Sequence, residues 1–320
     1  MKAPLFHRLA LIGMGLIGSS IARAARAQGA ARSIIATARS AATRRRVAEL
    51  GLADQVVETN AAAAEGADLV IVAIPVGACG AVAAEIAPHL TRGTIVSDVG
   101  SVKGAILRDM SPHIPAGVHF VPAHPVAGTE KSGPDAGFAE LFVERWCILT
   151  PPAGTEAAAV ERLAAFWRLL GANVETMSAE HHDLVLGITS HLPHLIAYTI
   201  VGTADELSQV TRSEVLQFSA GGFRDFTRIA ASDPTMWRDV FLANKQAVLE
   251  MLGRFNEDLA TLTRAIRRDD GETLFKQFSR TRAIRRAIVE IGQDSAAPDF
   301  GRSHPELPHL PLPRPYAAEE

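Results

Sequence analysis

Side chains suited to chemistry cluster in separate stretches of the chain. In "VPAHPVAGTEKSG", residues 121–133, His124 precedes a proline in glycine-rich surroundings that continue an apolar run. Packing alone does not call for that composition. An imidazole has an unperturbed pKa of about 6.5, so one held on a stiff turn at a strand end suits proton transfer at neutral pH. Pro125 restricts the backbone that carries it. A second stretch, "GMGLIG", spaces Gly13, Gly15 and Gly18 as G-x-G-x-x-G between the apolar run "RLALIG" and a helical pattern. There Gly13 permits a tight turn, Gly15 lets a pyrophosphate approach the backbone, and Gly18 lets helix and strand pack closely. The N–H groups of the first helical turn, from Leu16, Ile17 and Gly18, are then open to phosphate. A third, "SHLPH", sets His191 and His194 three residues apart on one helix face, with Pro193 kinking the helix between them. Without a nearby cysteine or acidic cluster to complete a site, no metal is expected there.

The choice of dinucleotide turns on the second strand, "SIIATARSAATRRR". An acidic residue at its end would bond the ribose hydroxyls of NAD, but Ala38 and Arg39 stand there. A guanidinium at Arg39 suits a 2′-phosphate, so the cofactor expectation is NADP or NAD, leaning to NADP. The following arginines, Arg44 to Arg46, read mainly as a solvated helix face.

Positioning these groups requires a scaffold, and the pattern supplies an α/β one. Short apolar runs alternate with helical patterns as far as residue 177, as in a doubly wound, mostly parallel sheet of Rossmann type. Residues 178–294 read as wholly helical, a substrate and dimerisation domain. His181 and His182 fall in what looks like a solvated first turn. Asp233 and Pro234 read as a helix cap and first-turn proline. From Pro234 to Ile266 the apolar spacing of Trp237 and the residues after it predicts a single helix of about 33 residues, or about 50 Å. With the helix that follows it has more apolar stripe than nearby elements can cover, which predicts a homodimer. Trp237 suits either a pocket wall or the core. The proline-rich residues 295–320 read as a disordered or draped tail.

Bulk properties bound the function. With 320 residues, 48% of them hydrophobic, the chain can fill two ordinary cores. A formal net charge of −3 gives no broad attraction to nucleic acid or anionic membrane. Neither is expected as a partner; a small-molecule substrate is. Cys79 and Cys147 lie far apart, which argues for a reducing, cytoplasmic setting. Glycines interrupt the N-terminal apolar run, against a signal peptide, and no stretch has about 18 uninterrupted apolar residues.

The motifs "GMGLIGSS", "SDVGSVKG", "HPVAGTEKSG", "SHLPH" and "GGFRDFTRIAASDPTMWRDVF", in this order, closely resemble the prephenate and arogenate (cyclohexadienyl) dehydrogenase family of tyrosine biosynthesis. Outside the two domains the sequence has no room for the fused chorismate mutase or regulatory module that some relatives carry, so the stand-alone form is expected. The resemblance implies a reaction that oxidatively decarboxylates a cyclohexadienol, with hydride transfer to NAD(P). It also implies roles: His124 as acceptor or base for the ring hydroxyl, Ser101 bonding the same hydroxyl and the cofactor region, and Arg228 pairing with a substrate carboxylate. His194 would lie near the substrate side chain with His191 as its companion, and Trp237 would help close the pocket. Prephenate and arogenate are both open as substrates. Two alternatives stand beside this reading. One is a dehydrogenase of the β-hydroxyacid dehydrogenase or imine reductase type, which would place a lysine or other acid where this chain has "SHLPH". The other is a non-catalytic dinucleotide-sensing protein, which would keep the glycine turn but would not need His124, Ser101 and Arg228 together.

Overall fold

The computed structural model describes residues 3–129, 131–210 and 220–290. The tail read from residue 295 onward lies outside the described residues. By backbone contacts the chain divides into two units, residues 1–253 and 254–320.

The first unit is built on a parallel sheet of β1 (Phe6–Ile12), β2 (Ala31–Thr37), β3 (Gln55–Val56), β4 (Leu69–Val72), β5 (Ile95–Asp98) and β6 (His119–Phe120). Their order is β3-β2-β1-β4-β5-β6, so strand order reverses beside β1. That reversal is the topological switch point at which such sheets bind ligands, outside the carboxyl ends of the strands. The central strands are apolar throughout because both faces are covered. Leu9, Leu11, Leu69 and Ile71 enter one core, while Ala10, Ile12, Val70 and Val72 enter the other. Alternate residues of a strand point to opposite faces, and each finds its own core.

The connecting helices are α1 (Leu16–Gln28), α2 (Ala41–Glu49), α3 (Asn60–Ala64), α4 (Cys79–Ile86) and α5 (Lys103–Met110). α1 stops at Gly29, which takes the left-handed conformation at φ 61° expected of a glycine C-cap. Both cysteines are buried free thiols.

The apolar run "HFVPAHP" does not form one strand. After β6 the chain leaves the main sheet, and β7 (Ala123–Pro125) pairs antiparallel with β8 (Trp146–Leu149), which pairs parallel with β9 (Asn173–Thr176). Pro122 and Pro125 each lack an N–H, so the run cannot carry a continuous ladder. Between β8 and β9, α6 (Ala157–Leu169) packs Phe166 and Trp167 edge-on to one another, with Phe6 and Phe142 against them.

The chain then becomes helical: α7 (Ala179–Leu186), a π-helical turn over Gly187–His191, and α8 (Leu192–Val210). Pro193 cannot donate a backbone hydrogen bond, and the ladder loosens in the turn just ahead of it. The stretch Ala179–Leu207 is long and apolar enough by length and composition to cross a membrane. In this structure, however, its His182, Asp183 and His191 are buried, bonded to other protein groups.

Next come α9 (Gly221–Thr227) and α10 (Pro234–Ala243), the latter capped by Asp233, whose carboxylate accepts from the Met236 N–H at 2.7 Å. The single long helix expected from Pro234 to Ile266 is broken. α10 ends at Ala243, Asn244 leaves helical geometry at ψ 31°, and α11 runs from Lys245 to Arg267. An apolar stripe is blind to this break, because Asn244 turns inward and takes buried polar partners.

The second unit holds the rest of α11 and α12 (Gly271–Glu290). Between them Asp270 accepts from the backbone N–H and the hydroxyl of Thr273. Phe275, Phe278, Leu259 and Ile266 are exposed here, Phe275 at 72%.

Candidate active site

The turn after β1 has the backbone a dinucleotide cradle needs. Gly13 lies at φ +97°, and a Cβ there would sit 2.3 Å from the Ala73 carbonyl oxygen. At Gly18 a Cβ would meet the Gly13 carbonyl oxygen at 2.0 Å. Neither position admits a side chain. Gly15 differs, since nothing lies within 4 Å of its Cβ position. Its smallness therefore serves approach from outside. Gly15 is also the N-cap of α1, which has no side-chain cap and no acid in its first turn. The N–H groups of Leu16, Ile17 and Gly18 are thus presented to an anion at the positive end of the helix. These residues fit the diphosphate of a dinucleotide.

At the end of β2, Arg39 is exposed. Arg44 donates to the carbonyls of Ala38 at 2.8 Å and Arg39 at 3.1 Å, which holds the backbone beneath Arg39. Arg46 pairs with Asp135 at 2.5 Å and Glu49 at 3.0 Å. The arginine run is therefore not only a solvated face: it ties the loop after β7 to α2. The same loop meets α1, where the Phe138 N–H donates to the Ser20 hydroxyl at 3.1 Å.

His124 is held by a chain of hydrogen bonds that fixes every proton along it. The carboxylate of Asp183 accepts from the backbone N–H groups of Lys103 at 2.7 Å and Gly104 at 2.8 Å, capping α5. A Cβ on Gly104 would lie 2.9 Å from that carboxylate. Nδ1 of His182 contacts the same carboxylate at 2.8 Å and so must be its donor. In the neutral ring Nε2 of His182 is then an acceptor, and His124 Nδ1 donates to it at 2.8 Å. The lone pair of His124 is left on Nε2. Burial pushes the pKa of His124 well below 6.5, assisted by the charges of His182, Lys103 and His191. Burial also lowers His182, against the pull of its bond to Asp183. The site holds a neutral imidazole with one defined basic nitrogen.

β7 is pinned separately. Asp98, at the end of β5, and Lys103, in the first turn of α5, form a fully buried ion pair at 2.5 Å. The ammonium also donates to the Ala123 carbonyl at 2.7 Å, and the Asp98 carboxylate accepts from the Gly100 N–H at 2.7 Å. Burial pushes the Asp98 carboxyl up, and Lys103 opposes that shift. Such a pair, once broken, leaves an uncompensated buried charge costing about 3–5 kcal/mol. His124 therefore follows a residue fixed from two elements.

A second set of groups surrounds Trp237. His194 stacks on its indole at 3.6 Å between centroids and 21° between planes, and His191 meets it edge-on at 6.0 Å. Nδ1 of His194 donates to the Ser190 carbonyl at 2.9 Å, which leaves its Nε2 as the acceptor. The pKa of His194 is lowered by burial and by the charge of Arg228, so that guanidinium stands within electrostatic reach. Arg228 itself is exposed, while Trp237 is buried in the core with Val240. The tryptophan is thus both core and site wall. His191 is fully buried, its pKa taken down to about 4 chiefly by burial. Ser101 lies three residues beyond β5, half-buried, with its backbone beside His191.

Hydrogen bonds and ring contacts link His124 through His182, Asp183 and Asn244 to His191, Trp237 and His194, with Arg228 in electrostatic reach of His194. The glycine turn and Arg39 sit at the carboxyl ends of β1 and β2. One expectation fails: His182 is not in a solvated turn but is 0% exposed and bonded to His124. Asp183, Lys103, Asp98 and Asn244 were not singled out either. A carboxylate ending the apolar run "TIVSD" did signal a buried partner; "HHD" carried no comparable mark.

Comparison with known proteins decides the family. Residues 21–176 match the model of the prephenate dehydrogenase nucleotide-binding domain, and residues 178–280 match that family's dimerization domain. The chain belongs to the prephenate dehydrogenase family. A cyclohexadienyl dehydrogenase from Zymomonas mobilis is 44% identical over 283 residues, 88% of this chain and 96% of that protein. A prephenate dehydrogenase from Bacillus subtilis is 33% identical over 94% of this chain and 81% of its own length. The crystal structure of prephenate dehydrogenase from Aquifex aeolicus in complex with hydroxyphenyl propionate and NAD+ superposes with a TM-score of 0.82 at 33% identity, covering 88% of this chain and 98% of that one. Because the first family match begins at residue 21, the reading of the glycine turn rests on its own geometry.

Two outcomes follow from this geometry. Gly15→Ala is expected to leave stability within about 0.5 kcal/mol while weakening dinucleotide binding, and Gly18→Ala to destabilise the fold by about 1–3 kcal/mol; thermal melts with and without nucleotide check both. For pH, the basic form of His124 is the competent one and its pKa is lowered, so kcat/KM stays level as pH falls to 6.5 and drops only below that value. A limb above 6.5 in the pH–rate profile would assign the base elsewhere.

Proposed function

We propose that this protein oxidatively decarboxylates cyclohexadienyl substrates, prephenate and arogenate, in the cytoplasmic synthesis of tyrosine. The observation that carries the proposal is the hydrogen-bond chain from Asp183 through His182, which leaves Nε2 of His124 as a neutral acceptor. When bound, a nicotinamide dinucleotide supplies the hydride acceptor. His124 draws the proton from the ring hydroxyl as its carbon takes on carbonyl character. Loss of the ring carboxylate as carbon dioxide then aromatises the ring, and His124 returns the proton to the phenolic oxygen. No net proton is released, and aromatisation drives the step.

Around that centre the other residues orient and hold. Ser101 bonds the same hydroxyl from the β5 end, and Arg228 clamps a carboxylate with its planar fork. His194, kept flat by Trp237, offers Nε2 to the substrate side chain, with His191 behind it. A site that must avoid suppressing decarboxylation places its cation away from the leaving carboxylate, so Arg228 is assigned to the side-chain carboxylate. The exposed Arg39 and the absence of a carboxylate at the end of β2 support NADP as well as NAD. Exposed apolar residues on the helices, Leu249 and Phe275 among them, support a homodimer through the region that matches the family's dimerization domain.

The test is a four-way assay of prephenate and arogenate with NAD and NADP, following nicotinamide reduction. Turnover with at least one pairing is expected, and none with any pairing would overturn the proposal. Arg228→Ala is expected to raise the substrate KM about tenfold or more while changing kcat less. An unchanged KM would move the carboxylate clamp to another residue.

A further inference from the structure

Asn244 lies outside every motif the dehydrogenase reading uses. It occupies the break between α10 and α11, is only 6% exposed, and turns its side chain inward. Its amide nitrogen donates to the Asp183 carbonyl at 2.8 Å, which fixes the amide's orientation, since the side-chain oxygen could not bond a carbonyl. The same nitrogen lies 3.0 Å from Nδ1 of His191. An amide NH2 has only hydrogens to offer, so that Nδ1 must accept. In the neutral ring the single proton is then on Nε2. That nitrogen is buried with no hydrogen-bond partner among the described residues. The neighbouring Ser101 backbone raises the pKa of His191, which only an acceptor, its carbonyl, can do. The Nε2–H is therefore left without a closed hydrogen bond, with the Ser101 carbonyl in its surroundings.

We propose that Asn244 is a positioning residue that locks His191 in the Nε2–H tautomer, which leaves an N–H rather than a lone pair beside the Ser101 carbonyl at the cofactor end of the site. The same amide grips Asp183, so one side chain references both histidine arrangements to a single helix break. The functional consequence rests on the dehydrogenase reading, in which Ser101 faces the substrate hydroxyl. The tautomer itself does not.

The experiment uses full-length protein with 15N-labelled histidine, wild type and Asn244→Asp. The carboxyl of the variant, ionised or not, presents an acceptor to His191 Nδ1. Expected in the wild type is a His191 signal pair with a bare Nδ1 and a protonated Nε2; in the variant the proton appears on Nδ1. With that shift, kcat should fall about tenfold or more while KM for the nicotinamide cofactor stays within about twofold, as for a lone pair set beside the Ser101 carbonyl at the reacting end. A wild-type His191 carrying its proton on Nδ1 overturns the proposal even if the variant fails to fold. So does a variant whose tautomer shifts while kcat stays at the wild-type value. If wild type turns over neither prephenate nor arogenate, the dehydrogenase reading fails separately, and the tautomer spectra still decide the lock.

Discussion

The site depends on the carboxylate of Asp183. It accepts from two backbone N–H groups at the start of α5 and from His182. An ionised carboxylate is an acceptor only, so its position dictates that His182 donates from Nδ1, and every later proton position follows. The α5 terminus also supplies favourable partial charge to a nearly buried acid. Moving Asp183 would therefore uncap a helix and scramble two tautomers together. Gly104 belongs to the same constraint, since any side chain there would crowd the carboxylate.

Around this point the fold places polar networks inside otherwise apolar surroundings. Asp98 and Lys103 are fully buried, yet each has several partners, and the ammonium reaches the residue preceding His124. A buried pair of this kind adds little net stability over an apolar substitute. What it contributes is a fixed register for β7, a strand of only three residues that pairs along one edge. Trp237 acts similarly for His194, keeping an imidazole flat by stacking while closing the core beneath it. Neutral histidines result, because burial opposes protonation at His124, His182, His191 and His194 alike.

Two parts of the first unit thus meet at shared side chains. The sheet supplies the glycine turn, the Ser101 turn and β7. The helical stretch from residue 178 supplies Asp183, His182, His191, His194, Trp237 and Asn244. Neither part alone holds a complete site. The exposed apolar faces of the later helices agree with a family whose second domain is named for dimerization.

Local signals in the sequence determined the alternating α/β half, the glycine cradle and the helical second half, because strand alternation, glycine spacing and helical periodicity are properties of neighbouring residues. Only tertiary structure decided that His182 is an inward link rather than a solvated residue, that "HFVPAHP" divides between two sheets, and that the helix after Trp237 breaks at Asn244. Each of those outcomes depends on a hydrogen-bond partner far along the chain: Asp183 binds α5 some 80 residues earlier, His182 meets His124 across 58, and Asn244 reaches His191 across 53. A polar residue near a helix start has the same composition whether it faces water or a distant carboxylate. Which one it faces is fixed only when the whole chain closes around it.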